Sequence, residues 1–137
     1  MPASGRNLLH VTDAQLLCRG RPIAYAVTWA SRPADRMRGL LGGRPLSEGQ
    51  ALVIVGARQI HTFGMRYAID VLFCDAGWVV RHRIDRLAPR RITRWVNPAR
   101  CAIELPGGAM GDVRTGERLE WEPWPPSILS DLMVLRR

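Results

Sequence analysis

The sequence predicts a mainly β fold of the α+β class, with one or two short helices and a helical tail, and three observations carry that prediction. Short apolar runs rich in β-branched residues recur at 23–30, 51–55 and 69–73. Turn-forming clusters separate the runs, among them Arg19-Gly20-Arg21-Pro22, Asp75-Ala76-Gly77 and Thr115-Gly116-Glu117. Cys101, Ile103 and Leu105 alternate with Arg100, Ala102 and Glu104, the period of two that sends successive side chains to opposite faces of a sheet.

Taken in order, residues 8–11 and 15–18 read as two short strands, and the first turn leads into a strand over 23–30. Ser31-Arg32-Pro33-Ala34-Asp35 supplies a capping hydroxyl, a first-turn proline and an acid at the positive end of a helix dipole, so a helix is expected from there to about Leu41, where Gly42-Gly43 stops it. The runs 51–55 and 69–73 are strands with both faces covered. The turn at Asp75 makes a hairpin with 78–86. The alternating strand at 101–105 points its cysteine, isoleucine and leucine inward and Glu104 to the other side. Pro106-Gly107-Gly108 ends it, a short helical turn follows near 109–113, and the last strand is 118–121. From Pro123 the chain cannot continue a strand through Trp124-Pro125-Pro126, and Ile128, Leu129, Leu132, Met133 and Leu135 fall near helical spacing. Of the tryptophans, Trp29 and Trp78 are expected in the core and Trp121 and Trp124 over the tail, which leaves Trp95 in a loop.

With 137 residues, 47% of them hydrophobic, the chain suits one β-rich domain over 1–122 followed by a tail over 123–137. The net charge of +8 arises from 20 arginines, with no lysine, against 12 acids. Guanidinium groups bind carboxylates and phosphates bidentately and stay charged, so a small anionic ligand or an acidic protein partner is expected. Cys18, Cys74 and Cys101 are too few and too widely spaced for a disulfide framework or a paired zinc site, and reduced, buried thiols are expected. The first residues lack the apolar run of a signal peptide and no stretch reaches 18 apolar residues, so the expectation is a soluble, cytoplasmic protein without a membrane span.

The chemistry concentrates in 60–73, where His61, Thr62, Met65, Arg66 and Asp70 crowd against an apolar run. Together with Arg38 and Glu104 they form the expected ligand-binding set, a small polar pocket that acts by binding rather than catalysis. A second reading makes His61 a base, with Asp70 or Glu104 as orienting group or acid, in a small hydrolase or isomerase. A third uses the arginine-rich stretch, with Arg81, Arg83, Arg90, Arg91 and Arg94 neutralising phosphates and Trp95 stacking a base. His10, His61 and His82 lack the spacing of a metal site, and neither a metal nor an organic cofactor is expected.

Three segments in order carry a family resemblance: Arg36-Met37-Arg38-Gly39-Leu40-Leu41; His61-Thr62-Phe63-Gly64-Met65-Arg66-Tyr67-Ala68-Ile69-Asp70-Val71-Leu72-Phe73; and Ala99 to Gly108 with Thr115-Gly116-Glu117-Arg118-Leu119. From 36 to about 119 the chain resembles the bacterial and archaeal domain of unknown function 192 family (DUF192). The resemblance implies a compact, mostly β fold of barrel-like character with one or two short helices, and no generally accepted activity. Many members have Trp-Met-Lys-Asn-Thr before a Pro-Leu-Asp, where this chain has His61 and Thr62 at the Trp and Met positions. It looks like the His-Thr-Phe-Gly-Met variant of actinobacteria. The family's usual Gly-Met-Leu stands here as Gln50-Ala51-Leu52. Members of that kind look as if they neighbour pilus-assembly or secretion genes, which implies a partner there.

Overall fold

The computed structural model describes residues 9–12, 14–30 and 45–123. Nine strands run through them: β1 (Leu9–Thr12), β2 (Gln15–Cys18), β3 (Arg21–Ala24), β4 (Ala26–Ala30), β5 (Gln50–Val55), β6 (Ile69–Cys74), β7 (Val80–Leu87), β8 (Cys101–Pro106) and β9 (Leu119–Glu122). They form a six-stranded sheet in the order β1-β4-β5-β8-β6-β7 and a three-stranded sheet in the order β3-β2-β9. Only the β4–β5 pair is parallel. A parallel pair needs a long crossover, and residues 31–49 provide its length.

Two sheets replace the expected barrel-like closure. The large sheet ends on β1 and β7, which do not pair with each other, and no closed barrel forms among the described residues. Helices are absent among the described residues, and those expected over 31–41 and in the tail lie outside them. The helical turn expected at 109–113 is instead a chain of tight turns, with Ala109, Gly111 and Val113 each donating to the carbonyl three residues back. The single strand expected over 23–30 is two. At Tyr25 the chain leaves the small sheet for the large one, and the Tyr25 and Ala26 amides both donate to the Gly49 carbonyl, at 2.8 and 3.0 Å. Gly49 sits at φ +85°, and a Cβ there would lie 2.7 Å from the Tyr25 ring.

The central strands are buried throughout, β6 at all six positions and β8 at its first five. Each therefore feeds two apolar clusters. One lies on the face toward the small sheet, where Leu72, Cys74, Cys101, Ile103 and Leu105 meet Leu16, Leu119 and a group of three tryptophans. The Trp29 and Trp78 rings lie 4.8 and 5.1 Å from Trp121, which places Trp121 in this core; Trp124 and the rest of the tail lie outside the described residues. On the other face Leu52, Ile54, Ile69, Val71, Phe73 and Ala102 pack against Ile60, Met65, Val96 and Ala99 from two loops.

Asp70 fixes the register of β6 and β7. Ile69 stands opposite Leu87 and Val71 opposite Ile84, so Asp85 and Arg86 together face Asp70 across a bulge. The bulge turns the Arg86 amide, at φ +51°, toward the buried Asp70 carboxylate, whose Oδ1 accepts it at 2.9 Å. Oδ2 accepts the Met110 amide at 3.0 Å and so holds the turn after β8. The Arg86 guanidinium lies across that turn, 2.8 Å from where a Cβ on Gly108 would be. Asp70→Ala orphans two amides and is expected to cost about 3 kcal/mol in urea unfolding; an unchanged midpoint would show that the carboxylate holds nothing together.

Candidate functional site

The loops covering the second face, 56–68 and 88–100, form a ribbon although neither contains a strand. Its rungs run from the Gly56 amide to the Arg100 carbonyl at 2.7 Å, from Val96 to Arg58 at 2.7 Å, from Thr93 to Ile60 at 2.9 Å and from Thr62 to Arg91 at 2.9 Å. Side chains add to them: Arg58 Nε donates to the Ala99 carbonyl at 3.0 Å and Gln59 Nε2 to the Thr93 carbonyl at 2.9 Å, and two threonines contribute as well. Thr93 Oγ1 accepts the Ile60 amide at 3.1 Å. Thr62, fully buried, donates its hydroxyl to the Ala88 carbonyl at 2.7 Å and accepts the Arg91 amide at 2.9 Å, while its carbonyl takes the amides of Met65 and Arg90. One side chain thus ties both loops together.

Pairing sorts the ribbon into two sides. Ile60, Thr62, Met65, Thr93, Val96 and Ala99 are buried on the sheet. His61 pairs with Ile92 across the ribbon, and its ring centre lies 5.4 Å from that of Phe63 with the planes tilted by 41°. Phe63, Ile92 and Trp95 are 47%, 62% and 58% exposed, three of the four large apolar side chains that reach solvent among the described residues. Arg66, Arg90, Arg91 and Arg94 are exposed beside them. The two loops carry six of the 20 arginines and none of the 12 acids, which is three quarters of the net charge of +8.

The structure separates the two carboxylates of the expected site. Asp70 stands opposite Leu105 and faces the small sheet, whereas Glu104 stands opposite Val71 on the face beneath the ribbon. Glu104 is fully buried there, so the far side of β8 is a second interior and not solvent. Its charge reaches Tyr67, whose hydroxyl is raised above its ordinary pKa first by burial and then by Glu104. His61 Nδ1 accepts the Phe63 amide at 3.2 Å. Met65 is buried in the apolar cluster below, Arg66 is exposed, and Arg38 lies outside the described residues.

The arginine-rich stretch divides as well. Arg81 pairs with Asp75 at 2.8 Å and Arg83 donates to the Gly111 carbonyl at 3.2 Å, both away from the ribbon. Asp75 lies below its ordinary range because the Val79 and Gly77 amides and Arg81 outweigh the burial that pushes it up. His82 stacks on Phe73, and burial first, then the nearby Arg94, lower its pKa.

Cys74 and Cys101 face each other across β6 and β8, and the Cys74 thiol is held well above its usual range by its hydrogen bond to Cys101 and by burial, which makes it a poor nucleophile. A cleft of about 480 Å³ elsewhere is lined by Arg19, Arg21, Asp112, Arg114, Thr115 and Glu117. Both of its acids are paired, Asp112 with Arg19 and Arg21 and Glu117 with Arg19. The turn at 19–22 shows in the sequence, but its acidic partners lie more than 90 positions away and nothing local signals the pairing. No three of His, Cys, Asp and Glu gather to hold a metal ion, and no helix is long and apolar enough to cross a membrane, among the described residues.

A mainly β architecture of two packed sheets, with a loop ribbon over one outer face, is the class to which this geometry assigns the protein. The chain belongs to the DUF192 family, described as an uncharacterized ACR, whose profile it matches over residues 15–121. No curated protein matches it significantly. Two solved structures share the fold. A protein of unknown function from Novosphingobium aromaticivorans superposes with a TM-score of 0.66 at 13% identity, over 81% of this chain and 85% of its own. A "putative transcription regulator" from Sinorhizobium meliloti superposes with a TM-score of 0.62 at 20% identity, over 80% of this chain and 92% of its own.

If Thr62 is the tie between the loops, Thr62→Val, which keeps the shape and removes the hydroxyl, should lower stability by about 1–3 kcal/mol. Hydrogen exchange should quicken at the Arg91 amide and stay slow in β6 and β8. Unchanged protection at Arg91 would contradict the assignment.

Proposed function

We propose that the protein acts by binding, and that the solvent side of the ribbon is where it takes an anionic partner. The observation that carries this reading is the concentration of arginine, without any acid, on two loops tied into one surface. Arg66, Arg90, Arg91 and Arg94 supply charge, His61, Phe63, Ile92 and Trp95 supply contact area, and Thr62 and Met65 hold the loops from below. Asp70 and Glu104 serve the fold in this reading, as buried carboxylates on opposite faces. Catalysis by His61 with either acid has less support, because both Asp70 oxygens already accept backbone amides and His61 Nδ1 accepts another. A partner in pilus assembly or secretion, as the family resemblance implies, is compatible with an acidic docking segment.

Nucleic acid is the second reading, favoured by the exposure of Trp95 next to Arg94 and by the description of the Sinorhizobium neighbour. The test for an anionic partner of either kind is fluorescence anisotropy with labelled polyglutamate and with oligothymidylate. Replacing Arg90, Arg91 and Arg94 together by serine should weaken binding of the preferred polyanion about tenfold or more and flatten its salt dependence, since each exposed guanidinium adds to the attraction. Arg21→Ser, at the paired cleft, should change neither. Equal binding by the triple variant and the native protein would refute the reading.

A further inference from the structure

We infer that the partner of the ribbon is an acidic protein segment bearing an apolar anchor, an identification that rests on the anionic-partner reading and narrows it. Charge alone fits a nucleic acid or a polypeptide equally well. The apolar side chains separate them. Ile92 projects on the same side as His61, with which it pairs, and Phe63 packs on that imidazole, so an aliphatic side chain and a phenyl ring share one patch among the arginines. A branched aliphatic group offers a base no stacking surface, whereas a leucine or phenylalanine from a peptide would cover it and be covered in turn.

Single exposed apolar residues are ordinary on a protein surface. Among the described residues, three of the four such side chains fall on one ribbon, whose two loops carry six arginines and no acid. Apolar and aromatic groups at the centre with arginine at the margin is the composition of protein interfaces, in which a few buried anchors supply most of the affinity and the charges steer the approach. Charge complementarity makes the partner acidic, and the apolar centre makes it a polypeptide.

The experiment compares three labelled probes on the full chain: a polyglutamate peptide with a Leu-Phe pair at its centre, the same peptide with Ser-Ser in that place, and oligothymidylate of matched charge. The Leu-Phe peptide should bind about tenfold tighter than the Ser-Ser peptide. Ile92→Ser should weaken the Leu-Phe peptide about tenfold and so erase that difference, and Phe63→Ser provides a second variant at an exposed position. Equal affinity for the two peptides, or preference for oligothymidylate with loss on Trp95→Ala, would overturn the inference while the anionic reading stands. Binding of none of the probes would overturn both.

Discussion

The central strands β5, β8 and β6 carry apolar side chains on both faces, and much of the described structure answers that constraint. A sheet of this kind is stable only when each face is shielded from water. The small sheet shields one face and brings Trp121 against Trp29 and Trp78. The other face is covered in part by two loops, and loops can bury a sheet only if their own backbone groups find partners. Thr62 and Thr93 meet that demand by spending their hydroxyls on backbone groups of the opposing loop.

From that covering role the surface follows. A ribbon with one side committed to the core has its remaining side chains directed to solvent, and here those are arginines interleaved with Phe63, Ile92 and Trp95. The rest of the chain is close to charge balance, and in the cleft around Arg19 both acids already pair with Arg19 or Arg21. Among the described residues, the ribbon is thus where arginine is concentrated on segments that carry no acid, which favours the approach of an anion.

The strands were legible because their signals are local: β-branched runs, turn clusters, and the alternation through Cys101, Ile103 and Leu105. The break at Tyr25 was not, since the carbonyl that diverts the chain belongs to Gly49, far along the sequence. The barrel-like closure is not seen among the described strands, because closure depends on whether edge strands meet, which no local pattern records. The candidate site was half legible. Residues 61–70 do sit at the surface-to-core boundary, yet reading them as one wall overlooked that strand alternation sends Asp70 through to the opposite face from Glu104. Nothing in the sequence marks the ribbon, because its rungs include side-chain oxygens and its segments lack any strand pattern. Phe63 and Ile92 look like core residues in a sequence, and it is the pairing across the ribbon that leaves them exposed.

The central claim is that this ribbon is the docking face, and amide chemical-shift mapping on isotope-labelled protein tests it most directly. Titration with the acidic Leu-Phe peptide should move the amides of residues 61–66 and 90–95 in a saturable way and leave those around Arg19, Arg21 and Arg114 in place. Shifts centred on that second cleft, with the ribbon unmoved, would contradict the account.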